Sequence, residues 1–97
     1  MIKSFGDKTT DDIANGRNTK KSRSLGAATI RAAENKIYML DNAQQLDELK
    51  TPPNNRLEAL KGKLKGYFSI RINQQYRLIF KWKNGEAFEV RIVDYHR

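Results

Sequence analysis

A few titratable and cationic side chains in the second half of the chain have the types needed to cleave a phosphodiester. Glu58 and His96 can each carry a proton. Three cations can hold a phosphate: Lys61, Arg71 and Arg77. Metal-free cleavage of RNA needs a base that takes the proton of a 2′-hydroxyl, cations that bind the phosphate, and an acid for the leaving oxygen. The sequence therefore predicts this chemistry for these residues.

Two neighbours of His96 can assist such chemistry. The ring of Tyr95 can stack on a base, or its hydroxyl can donate a hydrogen bond. Asp94 can orient the imidazole of His96 or only cap the end of a strand. Structural interpretations also exist: Glu58 as a solvated carboxylate, His96 as a frayed chain end, and Arg77 as an exposed cation over apolar surface. The convergence of these residues on one sheet face and its end favours a site.

Composition excludes several other chemistries. With one histidine and no cysteine, the chain lacks the ligands of a usual zinc site, and no cofactor is expected. It carries neither a glycine-rich phosphate loop nor a Ser/His/Asp order of residues. The lack of cysteine excludes a disulfide framework and fits a cytoplasmic protein. We expect no membrane partner, because no apolar run approaches the length of a span and no signal-peptide core precedes the domain.

The charge of the chain favours a polyanionic partner. Nineteen basic and eleven acidic residues give a net charge of +8 among 97 residues. A surplus of this size suits nucleic acid or an acidic protein, although it can also serve solubility alone. Residues 51–75 hold five basic residues and one acidic residue, so the positive surface belongs mainly to the C-terminal half.

Alternating apolar residues after residue 66 predict three antiparallel strands with one buried face. The buried positions are Phe68, Ile70, Ile72, Tyr76, Leu78, Phe80, Trp82, Phe88, Val90 and Ile92. The other face is expected to be wet and to contact RNA through Arg71, Arg77, Lys81 and Arg91.

The first turn of this sheet decides which cations face each other. A turn at residues 73–75 places Arg71 opposite Arg77. Like charges directly across a ladder destabilise it, unless an anion lies between them or the side chains splay into water. A three-residue second turn, at residues 84–86, then places Tyr95 on the face of Arg77, one diagonal step away.

The second turn has two solutions. Asn84-Gly85 suggests a two-residue hairpin, but that register pairs Lys81 with Phe88 and mixes the two faces. The hydrophobic pattern favours a three-residue loop at 84–86 with a bulge, because a one-residue slip exchanges buried and solvent faces. This longer loop pairs Lys81 with Glu89, and it also pairs Leu78 with Ile92 and Phe80 with Val90.

The polar first quarter of the chain gives weaker signals. Residues 1–5 are a short apolar start and predict an edge strand. The segment 6–25 is polar, with a helical turn near 10–14 and a solvated, mobile stretch after residue 16. Its basic residues can contact nucleic acid or an acidic partner instead.

Two helices and a short strand are predicted next. Residues 27–40 have a helical period, with apolar residues at Ile30, Ala33, Ile37 and Leu40. Asp41 can cap a second helix over 41–49, with Gln44 as its capping-box partner. Pro52-Pro53 ends that helix, and residues 56–60 are expected to join the sheet. A basic loop follows, in which Lys63 and Lys65 join Lys61. The order predicts one α+β domain over residues 1–97.

The chain resembles HigB-type toxins of the RelE/ParE superfamily, also known as plasmid maintenance system killer proteins. The resemblance depends on the order and spacing of short segments: residues 1–5 (MIKSF), 52–62 (PPNNRLEALKG), 66–72 (GYFSIRI), 75–78 (QYRL) and 93–96 (VDYH). It covers most of residues 38–96 and the first strand, whereas residues 6–25 carry little of it.

This resemblance implies a ribosome-dependent endoribonuclease that cuts mRNA in the decoding site. It also implies a HigA-type antitoxin, a helix-turn-helix protein that binds the toxin and represses their operon, so that operator DNA is contacted only through the antitoxin. The family's functional positions correspond to Lys61, Arg77, Asp94, Tyr95 and His96. Many relatives have histidine where this chain has Glu58, which leaves open whether Glu58 or His96 takes the proton.

Two other functions are compatible with the same fold and charge. ParE-type relatives inhibit DNA gyrase by binding, without cleaving RNA. A plain RNA-binding module would show salt-dependent binding and no cut product. The cluster of Lys61, Arg77, Tyr95 and His96 favours the nuclease, because a pure binder does not need it.

Overall fold

A computed structural model describes residues 1–95, so the predicted roles of His96 concern a residue outside the described ones. Three helices precede a four-stranded antiparallel sheet of order β1-β2-β3-β4. The elements are α1 (Lys8–Ala14), α2 (Lys20–Arg23), α3 (Ala27–Asn42), β1 (Glu58–Ala59), β2 (Phe68–Arg71), β3 (Tyr76–Lys83) and β4 (Glu86–Asp94). This arrangement confirms the predicted α+β class.

Helix α3 packs on one face of the sheet, and the core lies between them. Ala33, Ile37 and Leu40 are buried, as the helical period predicts. On the sheet, the buried inner face includes Ile70, Ile72, Leu78 and Phe80. The face away from α3 is called the outer face below.

The second predicted helix is wrong. Asp41 continues α3, and its carboxylate accepts a hydrogen bond from the backbone N–H of Ile2 at 2.8 Å. A short 3-10 helix at Leu46–Lys50 replaces the predicted helix. Its capping side chain is that of Glu48 rather than Gln44, because the Glu48 carboxylate accepts hydrogen bonds from the two backbone N–H groups that precede the helix. Pro52 cannot continue a helix, and the segment between α3 and Pro52 forms this 3-10 turn instead.

The N-terminal residues add to the edge of the sheet, as predicted. Ile2 bridges to Ala87 and Phe5 to Val90, both in parallel with β4. Backbone hydrogen bonds of 2.7–3.1 Å join the two segments. The pairing is two isolated bridges rather than a regular strand.

The segment 6–25 contains α1 and α2, so the predicted solvated loop is wrong for Lys20–Arg23; mobility there stays a prediction. Asp12 is the anchor of this segment, with a side chain only 4% exposed. Its carboxylate accepts hydrogen bonds from Lys8 and from Arg17, each at 3.1 Å.

The turn between β3 and β4 is the two-residue hairpin, so the predicted three-residue loop is wrong. Lys83 pairs with Glu86 across Asn84 and Gly85. Asn84 has φ +52° and Gly85 has φ +79°, which are the positive values that a type I′ turn requires. Local turn chemistry therefore outweighs the hydrophobic pattern near this turn.

A bulge farther along β4 restores the register. Ile79 lies opposite Arg91, but Lys81 lies opposite Phe88, so β4 carries one extra residue between them. Glu89 occupies this bulge with φ +52°. The predicted backbone pair of Lys81 with Glu89 is therefore wrong, although their side chains form an ion pair at 3.0 Å.

Because of the bulge, Ala87 and Phe88 lie on the opposite faces of the sheet from those predicted. Ala87 and Val90 are both fully buried in the core, whereas Phe88, predicted to be buried, is only half-buried and stands outside the core cluster. The predicted pair of Leu78 with Ile92 is confirmed, because it lies beyond the bulge.

Strand β1 is shorter than predicted. Arg56 has φ +48°, which interrupts an extended backbone, so only Glu58 and Ala59 pair with β2. The buried Asn55 side chain donates hydrogen bonds to the carbonyls of Leu49 and Thr51 at 3.1 and 3.3 Å. These bonds fix the chain just before β1.

No helix within residues 1–95 is both long and apolar enough to cross a membrane.

We expect Asp12→Asn to lower stability in a pH-dependent way. The pKa of Asp12 lies below its ordinary value of 3.8, chiefly because Lys8 donates a hydrogen bond to the carboxylate and also because Arg17 does. Folding lowers this pKa, so the stabilisation is present above pH 3.8 and is lost as the pH falls through the folded value. The variant should be less stable than the wild type near neutral pH, with a difference that shrinks in strong acid.

Denaturant unfolding across this pH range measures the effect. Asp47→Asn is the matched control, because Asp47 is 81% exposed and its ion pair with Lys50 should contribute little. An equal loss for Asp12→Asn at neutral and acidic pH would contradict the prediction.

A candidate active site around Arg77

Arg77 stands on the outer face of β3, directly opposite Arg71 of β2, as predicted. Its side chain is nevertheless only 10% exposed, so the expectation of a fully wet face is wrong. Two neighbours on this face, Ser69 and Ile79, are also buried. Long polar side chains therefore lie across the centre of the outer face and exclude water from it.

Glu58 supplies the charge that balances Arg77. The Arg77 Nη1 atom donates a hydrogen bond to Glu58 Oε1 at 3.1 Å. Strand β1 brings the two together, because Glu58 faces Ser69, which in turn faces Ile79 beside Arg77. The Glu58 side chain is 47% exposed, so the carboxylate remains accessible while it is held by the guanidinium.

The ring of Tyr95 covers the other side of the guanidinium. The Arg77 Cζ atom lies 4.7 Å from the ring centroid, a cation–π distance. Val93 faces Arg77 in the register, so Tyr95, two residues later, returns to the same face. The predicted diagonal relation is confirmed.

Gln75 holds the end of β4 in place, and the sequence interpretation missed it. Its side-chain amide donates to Asp94 Oδ2 at 3.1 Å, and its backbone carbonyl accepts from the Tyr95 N–H at 2.7 Å. Asp94 faces Tyr76, so the predicted register of β3 with β4 was the signal that could have identified Gln75. Asp94 thus takes part in fixing the strand end, one of the two roles considered for it.

Arg71 is half-buried and turns toward the first hairpin. Its Nε atom donates to the carbonyl of Asn73 at 3.1 Å. The two facing arginines are therefore each compensated by a protein acceptor, Glu58 for Arg77 and a carbonyl for Arg71. A guanidinium has five N–H donors, so both retain donors for a phosphate.

The three lysines of the basic loop are exposed. Lys61 follows Glu58 by three residues, and Lys63 and Lys65 lie on or after a short 3-10 helix at Gly62–Leu64. They extend the positive surface beside Glu58 without being fixed like Arg77.

Lys81 and Arg91 lie in a second group on the outer face, with Tyr67 and Glu89, which we call the outer cluster. Glu89 accepts from Lys81 at 3.0 Å and from the Tyr67 hydroxyl at 2.8 Å. The hydrogen bond from Lys81 is the main reason why the pKa of Glu89 is lowered, and the same bond raises the pKa of Lys81. The hydrogen bond to Glu89 raises the pKa of Tyr67.

The arrangement at Arg77 combines a fixed cation, an accessible carboxylate and an aromatic ring. These groups can bind a phosphate, accept a proton and stack on a base. Among residues 1–95, no three side chains of the metal-ligating types are grouped to hold an ion.

The fold is similar to one found in a solved toxin–antitoxin complex. The chain superposes on one in the heterotetrameric YoeB–YefM toxin–antitoxin complex from Staphylococcus aureus, with a TM-score of 0.61 and 17% identity. The match covers 100% of this chain and 99% of that one. At this identity the likeness concerns the fold alone.

Sequence similarity identifies the family. The family described as RelE-like toxin of type II toxin-antitoxin system HigB matches residues 3–96. Toxin HigB-1 of Vibrio cholerae serotype O1 is 44% identical over 78 residues, 80% of this chain and 81% of that protein. Endoribonuclease HigB of Proteus vulgaris is 30% identical over 70 residues, 72% of this chain and 75% of that protein. The chain therefore belongs to the HigB-like family of type II toxins, as the sequence resemblance implied.

We expect the ring of Tyr95 to stabilise the fold through Arg77. Tyr95→Ala should lower the free energy of unfolding by ~1 kcal/mol, because the nearly buried guanidinium loses its aromatic partner. Tyr95→Phe keeps the ring and should retain most of this stabilisation. Denaturant unfolding measures both variants.

Tyr38→Ala is the control for loss of an aromatic ring, because Tyr38 is 69% exposed. The prediction fails if Tyr95→Ala is no less stable than Tyr38→Ala.

Proposed function

We propose that this toxin is a ribosome-dependent endoribonuclease that cleaves mRNA by metal-independent acid–base chemistry and so inhibits translation. The observation that carries this proposal is the fixed position of Arg77, 3.1 Å from Glu58 and 4.7 Å from the Tyr95 ring. The relative from Proteus vulgaris that bears the name Endoribonuclease HigB supports it. The proposed toxin domain spans residues 1–97.

Arg77 is the proposed phosphate clamp. Glu58 and Tyr95 hold the guanidinium before substrate arrives, so no reorganisation is needed as charge develops on the phosphate. Arg71 lies directly opposite and can bind a second phosphate oxygen. Lys61, exposed beside Glu58, is the proposed third cation.

Glu58 and His96 are the proposed proton carriers. The Glu58 carboxylate is half-exposed beside the clamp, which suits the base that takes the 2′-hydroxyl proton. His96 then serves as the acid for the leaving oxygen. The opposite assignment gives Glu58 the role of orienting Arg77. Tyr95 presents its ring for stacking on a base, and Asp94 supports the strand end that carries it.

The ribosome is proposed to supply positioning that the toxin lacks. The proposed acid–base groups are few, and the Glu58 carboxylate is half-exposed, so alignment of the 2′-hydroxyl with the phosphate is proposed to come from the bound message. The net charge of +8 suits a ribosomal RNA surface. RNA contacts from Arg71, Lys63, Lys65, Lys81 and Arg91 extend this surface.

The proposed protein partner is a HigA-type helix-turn-helix antitoxin. Membership in a type II toxin family implies an antitoxin, and a similar fold occurs in the YoeB–YefM toxin–antitoxin complex. We propose that operator DNA is contacted only through this antitoxin, and that both proteins act in the cytoplasm.

We expect Arg77→Ala to lower the rate of mRNA cleavage on programmed ribosomes by ~10²–10³, because it removes the preorganised phosphate clamp. His96→Gln should cost ~10²–10⁴, as expected for one acid–base group. Glu58→Gln should cost a similar factor if Glu58 is the base, and much less if it only orients Arg77. Cleavage of defined mRNA, followed by primer extension, measures these rates.

Lys50→Ala is the matched control, because it removes one exposed cation outside the sheet. Unchanged cleavage by both Arg77→Ala and His96→Gln would exclude this active site. Inhibition of gyrase supercoiling without loss of translation would instead identify a ParE-type binder.

We expect expression of the toxin to arrest growth and co-expression of the adjacent antitoxin gene to restore it. Purified antitoxin should bind the toxin and abolish cleavage. Growth curves and size-exclusion chromatography measure the two effects. The His96→Gln variant serves as control, since it should bind antitoxin but be far less toxic. Persistent toxicity with a bound antitoxin would contradict the proposal.

A further inference from the structure

The Glu89 carboxylate of the outer cluster accepts hydrogen bonds from one side chain of β3 and from the residue just before β2. Glu89 Oε2 lies 3.0 Å from Lys81 Nζ, and Glu89 Oε1 accepts from the Tyr67 hydroxyl at 2.8 Å. The Arg91 guanidinium adds a second positive charge, 5.9 Å from the centre of the Tyr67 ring. The Lys81 ammonium lies 5.1 Å from the same centre. An ammonium and a hydroxyl thus contact one oxyanion, and the Arg91 guanidinium lies near the same aromatic ring as the ammonium.

The backbone is shaped to deliver this carboxylate. Glu89 is the extra residue of the β4 bulge and has φ +52°, a left-handed conformation that is unfavourable for a residue with a side chain. Its N–H donates to the hydroxyl of Ser4 at 2.9 Å, so the N-terminal segment holds the bulge. Bulges re-aim side chains next to functional sites, and this one directs Glu89 to the outer face.

The outer cluster and the Arg77 site share the same face of the sheet. Lys81 and Arg77 are four residues apart on β3, about 13 Å at the rise of an extended strand. The residues between them on this face, Ser69 and Ile79, are buried. At this separation, one extended RNA strand can contact both the outer cluster and the Arg77 site.

We propose that Lys81, Tyr67 and Arg91 form a subsite for a backbone phosphate of RNA flanking the scissile bond, and that the Glu89 carboxylate occupies this subsite until RNA displaces it. This inference rests on the proposed nuclease function. Charge-assisted hydrogen bonds from Lys and Arg suit phosphate as well as carboxylate, and the Tyr67 hydroxyl can donate to either. Glu89 thereby acts as an internal competitor that weakens RNA binding in the free toxin.

Glu89→Gln tests the competition directly. The amide keeps the shape of the side chain but removes its charge, so an RNA phosphate no longer displaces an ion pair. Affinity for an uncleavable single-stranded probe, a 2′-O-methyl oligonucleotide, should rise roughly 3–10-fold. The slope of log affinity against log salt should steepen by about 0.7, as expected for one more released counterion. Fluorescence anisotropy at several salt concentrations measures both quantities.

Glu86→Gln is the matched control, because it makes the same charge change on the same strand, where Glu86 pairs with Lys3 at 3.4 Å. A double-mutant cycle adds specificity: in a Lys81→Ala background, Glu89→Gln should no longer tighten binding. Tyr67→Phe, which removes only the hydroxyl donor, should weaken probe binding and provides a second variant if one fails to fold. Equal effects of Glu86→Gln and Glu89→Gln, or a full effect without Lys81, would overturn the proposal.

Two further experiments show which RNA supplies the phosphate and, if the prediction fails, whether the subsite or the nuclease function is wrong. Binding of Glu89→Gln to ribosomes with and without mRNA tells message from ribosomal RNA, since only a message phosphate gives an effect that requires mRNA. Wild-type cleavage on programmed ribosomes is measured in parallel. Intact cleavage with no specific Glu89 effect rejects the subsite alone, whereas absent cleavage with an intact double-mutant cycle rejects the nuclease and leaves an RNA-binding subsite.

Discussion

The burial of the Arg77 guanidinium is the constraint on which the outer face of the sheet depends. A charge that is only 10% exposed needs partners, and removal of one from such a pair costs several kcal/mol in well-buried cases. Glu58 comes from β1 and Tyr95 from the end of β4, the first and last strands of the sheet. Both strands must therefore keep their register for Glu58 and Tyr95 to reach Arg77. The least exposed cation of the proposed site thus also stabilises the sheet.

The helical layer positions these partners indirectly. The Lys36 ammonium of α3 donates to the Asn55 side chain at 2.6 Å, and burial lowers the pKa of Lys36. Asn55 in turn holds the turn before β1, and through it the position of Glu58. The hydroxyl of Thr10 in α1 accepts from the backbone of Ile92 at 2.9 Å, close to the strand end that carries Tyr95. Core packing is therefore joined to the site by a few buried polar contacts.

The outer face also shows how a strongly basic sheet can exist without substrate. Arg71 and Arg77 face each other, but each donates to its own acceptor, and Lys81 is paired with Glu89. Internal anions and carbonyls offset the like-charge repulsion that a cationic ladder would otherwise carry. In the proposed phosphate subsite Glu89 competes with RNA, which connects its ion pair in the free toxin to the proposed affinity for substrate.

The sequence by itself determined the period of α3, the alternation of β2 and β3, and the facing of Arg71 and Arg77. These depend on local repeats and on a short turn, which one sequence displays. Only the tertiary structure decided that Asp41 belongs to α3 and that Ala87 rather than Phe88 is buried. It also decided that Gln75 fixes the end of β4 and that Glu89 belongs to the outer cluster. Those outcomes depend on a bulge and on contacts between residues distant in the chain, and because a strand's period is two, one extra residue reverses every face that follows.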